Sequence, residues 1–207
     1  MSLCDTLLIR EHLMESARVK QQTVIACSDA IVRAIAAVST AFSGGGKLLL
    51  CGNGGSAADC QHIAAEFTSV LRQDYLRPGL PAIALTTDTS YLTARGNDYG
   101  FDGIFARLVQ SYGRRGDVLL GISTSGNSAN VCAAVAAANS AGLSTIVFTG
   151  EGGGKLALLA ELAICVPSRK VQHIQETHIA IGHILCQAVE EKLFPRNDQP
   201  DHGRIGS

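Results

Sequence analysis

The stretch Lys47-Leu-Leu-Leu-Cys51, running straight into Gly52-Asn-Gly-Gly-Ser56, decides how this chain is read. A short unbroken apolar run marks a strand buried on both faces, as strands of a parallel sheet are. The glycines after it let backbone amides come close to a ligand, and Ala57–Leu71, free of Gly and Pro, reads as the following helix. Strand, glycine loop and helix together form the opening unit of a doubly wound α/β fold.

Working outward, the unit recurs. Pro81–Leu85 is strand-like and enters the polar loop Thr86–Ser90. A helix is expected around Ile104–Ser111, ending in Gly113-Arg-Arg-Gly116. Val118–Ile122 is a second apolar strand, followed by Ser123-Thr-Ser-Gly-Asn-Ser128 and an Ala-rich helix, Ala129–Ala141, closed by Gly142. Thr145–Thr149 and Ala163–Val166 read as strands, with Leu156–Glu161 helical between them and Val171–Leu193 a late helix. Before the first strand, Thr6 to Phe42 carries Ile31, Ile35 and Val38 at helical spacing and predicts one or two amphipathic helices, stopped by Gly44–Gly46. Strands alternating with helices give a three-layer α/β fold on a parallel sheet with N-terminal helices. One domain is expected over 1–207: a helical region 1–43, an α/β core with late helix 47–193, and a loosely ordered polar tail 194–207.

Composition removes several classes of function. An apolar fraction of 46% with 17% charged residues is that of a globular chain. A net charge of −1 without a basic run gives nucleic acid nothing to grip. The contiguous apolar runs are far shorter than the ~20 residues of a membrane span, and the N-terminus lacks a signal-peptide pattern, so a cytoplasmic protein is expected. The seven cysteines include no C-x-x-C pair and sit mostly in apolar stretches, where a thiol packs as a small hydrophobe.

Ligands of such sheets bind at the carboxyl ends of strands. Two polar loops occupy that place, Gly52–Ser56 and Ser123–Ser128, and each precedes a helix whose free amides favour an anion. The hydroxyls of Ser123, Thr124, Ser125 and Ser128 can surround phosphate oxygens. Capped tight turns would use the same residues, but two such loops at neighbouring strand ends favour an anionic ligand. Gly52-x-Gly54-x-x-Ala57 also matches a dinucleotide fingerprint, yet the acid it requires would be Asp74, which is not at a strand end.

His62 and Glu66 are spaced i, i+4 and share a helix face, while Gln175, His178 and His183 lie on the late helix. A carboxylate and an imidazole beside an anchored sugar phosphate suit proton transfer between adjacent carbons. The groups His62, Glu66, Gln175 and His183 could also ligate a divalent ion such as zinc, although Gln is a poor ligand. A histidine or glutamate on a helix is more often a surface group, so spacing alone does not choose.

Five segments carry a resemblance: Cys51–Ala58, Gln61-His-Ile-Ala-Ala-Glu66, Gly96-Asn-Asp-Tyr-Gly-Phe101, Gly116–Ser128 and Ile174-Gln-Glu-Thr-His178. Together they resemble the phosphoheptose isomerase family (sedoheptulose 7-phosphate isomerases), built on the sugar isomerase or SIS domain, from about Lys47 to Leu193. The resemblance implies a flavodoxin-like sheet and a homotetramer with sites at subunit interfaces. It implies contacts to substrate from Asn53, Gly54, Gly55, Ser56, Asn97, Asp98 and Gln175, with Ser123, Thr124, Ser125 and Ser128 on the phosphate. Glu66 would move the proton between C1 and C2, with His183 as partner acid and base at the oxygens. His62, Glu66, Gln175 and His183 would hold one zinc per subunit. The implied reaction turns sedoheptulose 7-phosphate into D-glycero-D-manno-heptose 7-phosphate, with no nucleic-acid or membrane partner.

Three positions depart from the family pattern. Ser69-Val-Leu71 stands where a basic residue usually follows the glutamate, His173 where Arg usually precedes Ile-Gln-Glu, and Gln172 where Asp or Thr is common. His173 is expected either to donate a hydrogen bond near the site or to be a solvated helix-start residue. A rival reading is a non-catalytic SIS scaffold resembling the DnaA initiator-associating protein, whose tail is similar to Leu193–Asp198. That relative lacks counterparts of Glu66 and His183.

Overall fold

A computed structural model describes residues 3–74 and 76–195, so the tail expected beyond 195 lies outside the described residues. Its five strands are β1 (Leu48–Gly52), β2 (Ala82–Ala84), β3 (Val118–Ile122), β4 (Ser144–Thr149) and β5 (Leu162–Cys165). They stand in the order β2-β1-β3-β4-β5, all parallel, with Leu50 opposite Leu120 and Leu120 opposite Ile146. This is the flavodoxin-type doubly wound order, and the winding reverses between β1 and β3.

Among the described residues there are seven α-helices, all but α3 with buried residues packed on the sheet or on each other around it: α1 (Leu3–Ser43), α2 (Gly55–Thr68), α3 (Thr89–Tyr99), α4 (Ile104–Tyr112), α5 (Ala129–Ala141), α6 (Gly154–Leu159) and α7 (Val171–Leu193). Alternation along the strands separates two apolar layers. Leu48, Leu50, Leu120 and Ile122 pack with Val38 of α1, Ile63 and Phe67 of α2, and Ile181 and Leu185 of α7. Leu49, Cys51, Leu119 and Val147 pack on the other face with Phe105 and Val109 of α4 and Val131 and Val135 of α5. Each fully buried Leu among them contributes about 2 kcal/mol of transfer free energy, which is why both faces of β1 and β3 are apolar without interruption.

The N-terminal region is one continuous helix, since nothing in Leu3–Ser43 breaks it. α2 starts at Gly55 and stops at Thr68, earlier at both ends than Ala57–Leu71, because the backbone leaves the helix at Ser69. The expected loop Thr86–Ser90 ends in the unforeseen helix α3, whose start is capped by Asp88 accepting from the Tyr91 amide at 2.9 Å. α3 has no buried residue, so it carried no apolar stripe to announce it. Phe194, the first residue after α7, packs against the core cluster that includes residues of α1 and α7.

All seven cysteines are free, and Cys27, Cys51, Cys60 and Cys186 are buried. Burial pushes the Cys51 thiol up to about 12, as fits a packing role. By length and composition α1 is long and apolar enough to cross a membrane, which the short contiguous runs of the sequence did not suggest. Within the chain it packs along α7 and β5.

Candidate active site

Both predicted anion loops sit at the winding reversal, one after β1 and one after β3. They are sewn together by a reciprocal amide pair: Asn53 Nδ2 donates to Asn130 Oδ1 and Asn130 Nδ2 to Asn53 Oδ1, both at 2.8 Å. Asn130, buried in the first turn of α5, was missed by sequence reasoning although it follows the serine loop directly. Ser123 Oγ lies 2.9 Å from Ser128 Oγ and 3.4 Å from Ser125 Oγ, so three hydroxyls converge. The Gly150 amide braces the loop from outside by donating to the Thr124 carbonyl at 3.0 Å. Among the described residues no side chain caps α2 or α5, whose first turns open onto these loops. Their amides and dipoles are therefore available to an anion.

The second part of the site lies between α2 and α7. A side chain on Gly182 would press on Ile63, with a Cβ only 2.6 Å from Ile63 Cδ1, so glycine there lets α7 close on α2. The approach brings His62 Nε2 to 2.8 Å from His183 Nε2, rings edge to face, with Glu66 Oε1 at 3.5 Å from His62 Nε2. His62 and Glu66 occupy points about two and three turns along α2 from Gly55. Gln175 lies at the loop end of this cleft: its amide fills the space where Gly55 lacks a Cβ, and Nε2 donates to Asp59 Oδ1 at 3.5 Å.

Asp59 was also missed, though it stands on the same α2 stripe as His62 and Glu66, at i, i+3 and i+7. It is buried, with Oδ2 lacking a hydrogen-bond partner, and burial raises its pKa against the Gln175 bond and the nearby His62. His62 and His183, with Glu66 beside His62, offer nitrogen and oxygen donors of the kinds that a divalent cation takes.

Beneath Glu66 the structure adds Arg77. Its guanidinium donates to the Glu66 carbonyl at 2.9 Å and the Phe67 carbonyl at 2.8 Å, and pairs with Glu190 at 2.6 Å. Both charged side chains of that pair are buried. The end of α2 that carries Glu66 is thus tied to α7.

Other expected positions go elsewhere. Asn97 and Asp98 are exposed on α3, and Asn97 Nδ2 donates to Asp98 Oδ1 at 2.8 Å. His178 is a core residue: it is packed on Phe148, one ring nitrogen meets the Thr149 carbonyl at 3.0 Å, and burial lowers its pKa to about 4. His173 is 2% exposed, so it is not the solvated helix-start residue that was one of its two expected roles. The helix start is covered by α1, whose His12 ring lies 4.5 Å from that of His173, and His173 Nδ1 meets Glu176 at 3.3 Å. Asp74 lies in the loop before β2, bonded to Arg72, and so is not at a strand end, where a dinucleotide fingerprint needs its acid.

The fold and its paired loops define a SIS domain, and the family model for that domain matches residues 11–150. The phosphoheptose isomerase of Roseiflexus sp. (strain RS-1) is 53% identical over 184 residues, 89% of this chain and 92% of that protein. Two solved phosphoheptose isomerases superpose closely. That of Neisseria gonorrhoeae has a TM-score of 0.84 at 44% identity, over 90% of this chain and 98% of the other. That of Francisella tularensis has a TM-score of 0.86 at 38% identity, over 92% and 100%. The chain belongs to the phosphoheptose isomerase family.

Proposed function

We propose that the chain is an aldose–ketose isomerase that converts sedoheptulose 7-phosphate to D-glycero-D-manno-heptose 7-phosphate by moving a proton between C1 and C2. The observation that carries this reading is the cleft in which Glu66, His62 and His183 meet, on the same α2 that begins at the anion loops. Hydroxyls of Ser123, Thr124, Ser125 and Ser128 and the first-turn amides of α2 and α5 bind the phosphate. Asn53, Gly54, Gly55 and Ser56 line the loop end of the path, and Gln175, held over Gly55, orients the sugar hydroxyls. The two or three turns of α2 between loop and cleft favour a long sugar over a short one.

Glu66 takes the proton from one carbon and returns it to the next, and His183 carries the compensating proton at the adjacent oxygens. Zinc would be held by His62, Glu66, Gln175 and His183 and, when bound, would polarise the substrate oxygen as a Lewis acid. Glu66 and His183 have no evident use in a scaffold, so the initiator-associating reading falls away.

A homotetramer in the cytoplasm completes the reading. Leu7, Leu8, Leu13, Val24, Ile25 and Val32 are exposed along α1, more apolar surface than a lone chain ordinarily shows. Asn97 and Asp98, exposed on α3, would meet substrate in a neighbouring subunit. The decisive experiment is turnover of sedoheptulose 7-phosphate with and without a chelator. Conversion to an aldose phosphate is expected, and its absence in metal-replete protein would defeat the proposal.

A further inference from the structure

A second group of metal-ligand side chains lies away from the cleft, where α1 crosses the start of α7. His12 Nε2 is 2.8 Å from Glu176 Oε1, and His173 Nδ1 is 3.3 Å from Glu176 Oε2, so two imidazoles address the two oxygens of one carboxylate. Among the described residues, this is the group of three His, Cys, Asp or Glu donors whose ligand atoms all lie within 4.8 Å of one another. Ser16 also bonds the carboxylate and is itself held by Lys20 at 2.6 Å. His173 and Glu176 are i, i+3 on α7, and His12 comes from a helix 164 residues away in sequence.

We infer that His12, His173 and Glu176 form a second divalent-metal site, of the kind that takes zinc, clamping α1 to α7. Two histidines and one carboxylate are an ordinary zinc ligand set. Ligand atoms at about 2.1 Å from a tetrahedral ion stand about 3.4 Å apart, close to the His173–Glu176 separation. The shorter His12 contact opens by a small rotation of a side chain that is 39% exposed. That exposure also gives the ion an entry path and leaves room for water as a fourth ligand. His173, by contrast, is fixed by burial, and surface histidine–carboxylate pairs alone rarely justify burying a ring. The departure noted in the sequence acquires a reason: an arginine at 173 could not ligate a metal, whereas imidazole can.

The test is zinc titration of metal-free, full-length protein with a colorimetric indicator, followed by cobalt substitution to read ligand-field spectra. His12→Ala should lose about one zinc per chain relative to the unsubstituted protein, with site affinity down at least about a hundredfold and isomerase activity unchanged. His62→Ala/His183→Ala should still bind about one zinc per chain and still melt higher when zinc is added. Adding His12→Ala to that pair should abolish both responses. Metal-free melting curves show whether each variant is folded, and His12→Gln replaces His12→Ala if the latter is not. An unchanged zinc stoichiometry and cobalt spectrum in a folded His12 variant overturns the site and leaves a hydrogen-bonded triad. Failure of the cleft to bind metal would appear separately, as no change in His62→Ala/His183→Ala.

Discussion

The two halves of the candidate site are built differently. The anion loops are a backbone device: glycines, uncapped helix starts and hydroxyls, locked by the Asn53–Asn130 pair and braced from β4. The cleft is a side-chain device, with His62 about half exposed and its position set by how closely α7 approaches α2. A backbone cradle holds a ligand equally in ground and transition states, while groups that move protons act only in the transition state. The halves should therefore separate in kinetics, the loops in KM and the cleft in kcat.

The largest effect should come from Glu66→Gln, which keeps size and hydrogen bonding but removes the proposed base. Turnover should fall about a thousandfold or more, with KM within a few-fold of the parent. Steady-state kinetics check it, and unchanged turnover would remove Glu66 from its role. Next, Arg77→Ala strands the buried Glu190 carboxylate and frees the end of α2, so denaturant unfolding should show a loss of about 3–5 kcal/mol. Arg77→Lys should recover part of that loss without fully restoring turnover, since one ammonium cannot reach both carbonyls and the carboxylate.

A smaller effect lies under the serine loop. His178 is neutral in the fold, with a pKa of about 4 against an ordinary 6.5. Between those values the unfolded chain binds a proton that the folded chain does not. Stability is then full above about pH 6.5 and falls as pH drops toward 4, by about 3 kcal/mol from this group. His178→Gln, which can still donate to the Thr149 carbonyl, should flatten the melting profile between pH 6.5 and 5. The smallest effect is expected from Ser128→Ala or Asn130→Ala, each raising KM about tenfold, the value of one or two hydrogen bonds, with kcat nearly intact. A collapse of kcat in these loop variants would erase the distinction between the halves.

Legibility in the sequence followed the same division. The strands and loops were readable because each is a local signal: an apolar run, a glycine cluster, a helix stop at Gly142. Val118–Ile122, Ala129–Ala141 and Val171–Leu193 have the bounds the residues imply. Asp59, Arg77 and Asn130 were not found, since their roles depend on partners on other elements, with Glu190, for one, lying 113 residues from Arg77. α3 escaped for the opposite reason, as a polar surface helix signalled mainly by its Asp88 cap. The roles proposed for Glu66 and His183 come from resemblance, since spacing left them open.

The long N-terminal helix has a consequence for the order of assembly. Its partners are α7 and β5, with contacts such as Cys27 to the Cys165 carbonyl at 3.3 Å and His12 to Glu176. α1 is synthesised before α7 and must wait for it before its apolar face is covered. Contacts of such long sequence separation close late and slowly, which makes docking of α1 the expected slow step of folding. Until then its inward face, with Val19, Cys27, Ala34 and Val38, is open to chaperones and to other nascent chains.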